Sequence, residues 1–344
     1  MSNNIITVFD IGGTNFRYAV IDRKSLKILE IHRYPTPSFL THKNIIISKL
    51  QTILMDKISN IVHDIYSRYK SKEIVVGISF AGPITKDGIV KQACTIWGNN
   101  GFNYPIKTEI KNRLPKAKIF IINDITAAAE RYGSLPKYQK YDYIGIITVS
   151  SGIGSKIYDI QHHLPVLDSL GIGGELGHVR FDFTSKAPIC DCGGIGHIGA
   201  ISSGRAIQRE TVNFALKNKK AYKSSILGEM VTSPLNITNQ DIIKAIQKND
   251  SFAVKLLDIS TYPLAISIAN MSALIGVQKV IFIGGFALNC GTAYLKSVQR
   301  NLKKLDFYGK NNKEIPKIVN LGINDDNDPL IGVAIFVKRN TNEN

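Results

Sequence analysis

Cysteine is scarce in this chain, and the few present are badly placed for cross-linking. Among 344 residues there are four (Cys94, Cys190, Cys192, Cys290), two of them one residue apart, so no disulfide framework is expected. A reducing, cytoplasmic setting follows as the expectation. No apolar run approaches the length of a membrane span, and the opening MSNNIITVFD enters a strand pattern almost at once, so neither a membrane partner nor a cleaved signal is expected. Long Pro/Gly/Ser linkers and low-complexity tracts are also lacking. Acidic residues are in deficit, 27 Asp+Glu against 43 Lys+Arg, for a net charge of +16. That excess suits anionic ligands such as nucleotides, and by itself it would also suit nucleic acid. The KSK, KNKK and NLKK clusters, however, lie on polar stretches without interleaved aromatics, the pattern of a solvated surface, so no nucleic-acid partner is expected.

What is present is enough chain for two ordinary domains with substantial cores. ITVFDIGGTNFRYAVID, Ile6 to Asp22, reads as strand, Gly-Gly turn, strand, and YIGIITVSSGIGSKIYD, Tyr143 to Asp159, repeats the device with a Ser/Gly turn. VVGISF, IFIIND and VIFIGG are short apolar runs ending in polar or Gly-rich loops, as buried parallel strands do. A third strand is expected near Lys27 to Tyr34. Helices are expected from about His42 to Tyr69, from Arg205 to Lys217, after a Thr238/Asp241 cap, and from Ser251 to Ile275 with a kink or break near Pro263. A last helix should begin at the Asp-Pro of Asp328.

Chemistry concentrates in GGELGHVRFDFTSKAPICDCGGIGHIGAISSG, Gly173 to Gly204. His178, Cys190, Cys192 and His197 make two imidazoles and two thiolates, a donor set that suits tetrahedral Zn2+. In DIGGT, Gly12, Gly13 and Thr14 can bring backbone N–H groups around phosphate oxygens, while Asp10 can hold Mg2+ directly or through water. A hairpin turn could use the same glycines. Ser151 and Gly152 repeat this possibility in the second half; Lys156 beyond them could add a cation near the phosphates, but is read first as a solvent-facing strand residue. Asp124 ends a strand and starts a helix, so on residues alone it is either a helix cap or a general base.

Glu-x-Gly-His followed by C-x-C-G-G-x-G-H resembles the zinc signature of the ROK family of sugar kinases, E-x-G-H with C-x-C-G-x-x-G-C-x-E. His197 stands for the third family cysteine, and Gly199 for the final glutamate. The resemblance covers nearly the whole chain, from Phe9 to about Gly332. It implies an α/β fold of two ribonuclease H-like domains flanking a nucleotide cleft, as in actin and hexokinase. The expected smaller domain is 1–124 plus about 326–344, and the larger is 125–325 with the zinc-binding insertion.

The resemblance further implies ATP and Mg2+ as cofactors, a structural Zn2+, and a carbohydrate kinase acting on a primary hydroxyl of a hexose or hexose-like polyol. Asn123 and Asp124 match the family's catalytic pair, with Asp124 the base and both touching substrate. Glu175 and His178 match its sugar-contacting element, and Gly284 and Gly285 its adenosine-proximal turn. Asn99 and Asn100 align loosely with a sugar loop. Gly199 removes a carboxylate near the anomeric end of the sugar, which points to a cyclitol or modified sugar as the alternative acceptor. A non-catalytic sugar sensor is the remaining alternative; a DNA-binding repressor is disfavoured because the first strand begins near Ile5. Among similar proteins dimers are common, so the resemblance admits a homodimer.

Overall fold

In the computed structural model the described residues are 4–98, 101–166, 173–305, 311 and 313–342. Asn99 and Asn100 lie outside them. The chain forms two compact units. Among described residues, one holds those up to Lys137, those from His163 to Gly173 and those from Asp325 onward; the other holds Tyr138–His162 and Gly174–Asn324.

The first unit is built on strands β1 (Ile5–Ile11), β2 (Asn15–Asp22), β3 (Ile28–Pro35), β4 (Val75–Phe80) and β5 (Lys118–Asn123), in the order β3-β2-β1-β4-β5. The first three are antiparallel, and β4 and β5 run parallel to β1. Every residue of β1 is buried because both faces of the sheet are covered. Phe9 and Ile11 pack with Leu54, Ile58 and Val62 of the helix Ile47–Tyr69. Ile6 and Val8 face the other way, toward Ala127, Leu330, Val333 and Val337.

Those last residues belong to the helices Asp124–Gly133 and Asp328–Asn342, which are locked together. A Cβ on Gly332 would stand 1.7 Å from the Ala127 carbonyl oxygen, so only glycine permits this crossing. Arg131 pairs with Asp325 at 2.6 Å and Asp328 at 2.7 Å, and Arg339 reaches the fully buried Glu130 at 2.6 Å. This packing moves the first boundary from the expected 124 to Lys137: the helix that follows Asp124 belongs with the terminal helix, not with the second unit.

The second unit repeats the device with β6 (Tyr143–Val149), β7 (Ile153–Asp159), β8 (Lys279–Ile283) and β9 (Val319–Leu321). β7 and β6 form an antiparallel hairpin, and β8 and β9 run parallel to β6 and to each other. Its core gathers Ile147, Val149, Phe282 and apolar residues of the helices Asn239–Gln247, Ser251–Ile275 and Thr292–Lys304. The Thr238/Asp241 capping box forms as expected. Of the kink or break expected near Pro263, a break does not occur: the helix Ser251–Ile275 runs 25 residues with Pro263 inside it. By length and composition that helix could cross a membrane, contrary to the reading that no such run exists; Leu256, Leu257, Leu264 and Ile268 are instead buried in the unit's core.

Candidate active site

In the first unit the chemistry gathers at one edge of the sheet. Ile11, Phe80 and Asn123 stand side by side at the C-terminal ends of three adjacent parallel strands, the edge where open α/β sheets bind ligands. Gly12, Gly13 and Thr14 form the turn beyond β1, closed by Gly12 N–H donating to Asn15 at 2.9 Å and braced by the Thr36 hydroxyl on the Gly12 carbonyl at 2.7 Å. Beyond β5, the Asn123 side chain accepts from Thr126 N–H at 2.8 Å and is the helix cap. Asp124 is therefore the first helical residue, half-buried, with Oδ1 accepting its neighbour Ile125 N–H at 2.9 Å. Asn123 performs the capping that sequence alone offered to Asp124.

Asp10 is buried and strongly engaged. Arg17, directly opposite on β2, donates Nε at 3.0 Å and a terminal nitrogen at 2.7 Å to Oδ2, while the Ser79 hydroxyl lies 3.3 Å from Oδ1. Burial raises the Asp10 pKa above the usual carboxylate range, and Arg17 and Ser79 pull it back. Arg17 also pairs with Asp326 at 2.9 Å. Sequence reading missed Arg17, whose position between Phe16 and Tyr18 gave only a strand signal.

In the second unit Ser151 and Gly152 form the turn between β6 and β7, and Gly284 and Gly285 follow β8, whose Ile283 is in register with Thr148 near the end of β6. The helix Gly204–Lys217 begins against the first turn, with Gly204 N–H donating to Ser150 at 2.8 Å and Arg205 Nε to Ser151 at 2.8 Å. Ser203 caps it.

Glu175 stands just before a short 3-10 turn, Leu176–His178, so that glutamate and histidine share one side of the chain. His178 presents Nε2 to Glu175 at 4.0 Å and Nδ1 to the Cys190 sulfur at 3.9 Å. Cys192 Sγ lies 3.3 Å from His197 Nδ1, and one donor atom from each of the four residues falls within 4.8 Å of all the others. Metal–ligand bonds of the zinc type would separate tetrahedral donors by about 3.5 Å, so this group can hold a metal ion with little contraction. Burial raises the Glu175 pKa, opposed by His178 and Lys156.

Gly199 has a packing role the sequence did not reveal. A Cβ there would stand 3.0 Å from the Gly177 carbonyl oxygen, and one on Gly177 would stand 2.5 Å from the Ile153 carbonyl oxygen. Three backbones are thus stacked, and a side chain at 199 would need the Gly177 carbonyl to give by a few tenths of an ångström. Lys156 also departs from expectation: it is 6% exposed rather than solvent-facing.

Residues 6–340 match the model of the ROK family. A C(7)-cyclitol 7-kinase of Streptomyces hygroscopicus subsp. jinggangensis is 32% identical over 331 residues, covering 96% of this chain and 92% of that one. A glucokinase of Thermotoga maritima is 29% identical over 213 residues, 62% of this chain and 64% of its own. Among solved structures, a ROK glucokinase from Streptomyces griseus in complex with glucose and AMPPNP superposes with a TM-score of 0.74 at 21% identity, over 98% of this chain and 100% of the other. The fold is therefore that of the actin/hexokinase ATPase class, and the chain belongs to the ROK family.

Proposed function

We propose that this carbohydrate kinase transfers the γ-phosphoryl group of ATP to a primary hydroxyl of a C7 cyclitol. The observation that carries the acceptor class is the near full-length similarity to a C(7)-cyclitol 7-kinase, against the shorter glucokinase match.

Asp124 takes the proton of the attacking hydroxyl as its oxygen bonds to the γ-phosphorus; the bond to the β-phosphate oxygen breaks and ADP leaves. Asn123 fixes the helix start that aims this carboxylate. Gly13 and Thr14 in one unit, and Ser151 and Gly152 in the other, offer backbone N–H groups to the phosphates, with Gly12 closing the first turn through its bond to Asn15, and Gly284 and Gly285 border the adenosine. Mg2+ neutralises phosphate charge when bound. With both Asp10 oxygens engaged by Arg17 and Ser79, Asp10 would hold it through water rather than directly. Glu175 and His178 Nε2 orient the acceptor, and His178 Nδ1, Cys190, Cys192 and His197 bind one structural Zn2+ that fixes that histidine.

The second reading is a hexose kinase, favoured by the Thermotoga maritima glucokinase match and by the glucose in the Streptomyces griseus structure. A coupled ADP-release screen across C7 cyclitols, hexoses and hexosamines tests both. Turnover led by a C7 cyclitol is expected. Turnover led by glucose selects the second reading, and no turnover with any polyol contradicts both.

A further inference from the structure

In a trans peptide the C=O of one residue and the N–H of the next point in opposite directions, so a hydrogen bond to the carbonyl also aims the N–H. The turn of Ser150, Ser151 and Gly152 between β6 and β7 is held in this way twice. Gly204 N–H donates to the Ser150 carbonyl at 2.8 Å, which turns the Ser151 N–H away from the helix Gly204–Lys217. Arg205 Nε donates to the Ser151 carbonyl at 2.8 Å and does the same for the Gly152 N–H. Ser150 N–H closes the turn on the Gly152 carbonyl at 3.0 Å. Among the described residues the Ser151 and Gly152 N–H groups have no hydrogen-bond partner, and a Cβ on Gly152 would meet nothing within 4 Å. Two adjacent N–H donors facing open space make a cradle for an anion.

The two holding groups differ in kind. Gly204 is fixed by its place in the backbone: a Cβ there would stand 2.8 Å from the Ser150 carbonyl oxygen, and Ser203 caps the helix that it opens. Arg205 holds through a long side chain, which needs a second anchor to stay in one geometry. That anchor is Asp191, whose Oδ2 lies 2.6 Å from Arg205 Nη2 and which stands between Cys190 and Cys192. The guanidinium therefore bridges the cysteine segment and the turn. With 57% and 69% of the two side chains exposed, the ion pair adds little to global stability, so its effect is confined to the segments it joins.

We infer that Arg205 is a positioning residue for the nucleotide: braced by Asp191, its guanidinium fixes the Ser151–Gly152 peptide so that the Gly152 N–H faces the phosphates. It acts through that peptide rather than on the phosphates. The orientation of the peptide is a property of the turn; its effect on the nucleotide rests on the kinase reading above. A planar guanidinium suits the task because Nε and Nη2 donate in fixed, separate directions, one to the carbonyl and one to the carboxylate, whereas a lysine ammonium offers no such fork.

Calorimetric titration with the Mg2+ complex of AMPPNP tests it, in wild-type protein and in Arg205→Met, Arg205→Lys and Asp191→Asn at matched zinc content. The Kd is expected to rise about tenfold in Arg205→Met and nearly as far in the other two, the size of one misdirected hydrogen bond to a charged group. In all three, Tm should stay within about 2 °C and the KM of whichever acceptor the wild-type protein turns over within about threefold. A residue that only braced the surface would move Tm and leave the nucleotide alone. Unchanged analogue affinity in Arg205→Met would overturn the positioning role. Wild-type or tighter affinity in Asp191→Asn would overturn the bracing, since it would mean that Arg205 acts as a free cation on the phosphates. Binding by the wild-type protein with no change in any variant sinks this role alone, whereas no binding by the wild-type protein sinks the kinase reading with it.

Discussion

At the scale of single residues, two positions carry opposite lessons. Asp124 was ambiguous between cap and base, and the geometry assigns the cap to Asn123, while Asp124 Oδ1 accepts from Ile125 N–H; the base role is the one proposed above. Asp124→Asn should keep nucleotide affinity and lose phosphoryl transfer by about a hundred- to ten-thousandfold, measured as kcat beside ATP-analogue binding. Near wild-type kcat would remove it from the base role. Gly199 first reads as a missing carboxylate whose restoration would favour glucose. The stacked backbones at Gly177 and Ile153 now argue otherwise: Gly199→Glu should cost about 1–3 kcal/mol in unfolding experiments and bring no gain on glucose. A stable variant with improved glucose kcat/KM would return the position to its first reading. Motif residues were legible because each keeps its chemistry in any neighbourhood. Arg17, Lys156 and the crowding at Gly199 were not, because their meaning comes from what another segment places beside them.

Elements are joined by a few charged clamps, and one of these gives the fold a pH signature. Glu30 on β3 accepts from Arg68 at 2.9 and 3.1 Å and from the Tyr69 hydroxyl at 2.5 Å, tying the strand to the end of the helix Ile47–Tyr69. The Arg68 hydrogen bonds, against a smaller effect of burial, pull its pKa down to about 2 from 4.5. A depressed carboxylate pKa stabilises the fold above the unfolded value, and that contribution is lost as pH falls from about 4.5 through about 2. Because the pair is partly solvated, Glu30→Gln should cost only about 1 kcal/mol at pH 7. The difference between the two proteins should shrink by pH 3; a difference independent of pH would contradict the clamp. The segment that carries His178, Cys190, Cys192 and His197 has little burial to hold it, since Ile189 and Ile195 are 66% and 50% exposed, and the proposed zinc would supply what burial does not. Protein purified without chelator should carry about one zinc per chain, and Cys192→Ala should lose both the metal and several degrees of Tm. Metal-free wild-type protein would contradict the site.

For the molecule as a whole, the repeated hairpin, DIGGT in one half and SSGIG in the other, announced two related α/β units, and each unit has the sheet that the repeat implied. The boundary was less legible, since Gly332 and Arg131 bind the terminal helix to the one that begins at Asp124 by contacts about two hundred residues apart. Function follows the same division: short motifs carried family and reaction type and left the acceptor open between a hexose and a cyclitol. The most direct test is a competition in which C7 cyclitol and glucose, at equal concentration with ATP and Mg2+, are followed by phosphorus NMR. The account predicts that the cyclitol 7-phosphate monoester accumulates first, by about tenfold or more over glucose phosphate. Glucose phosphate appearing first, with the cyclitol untouched, would contradict it.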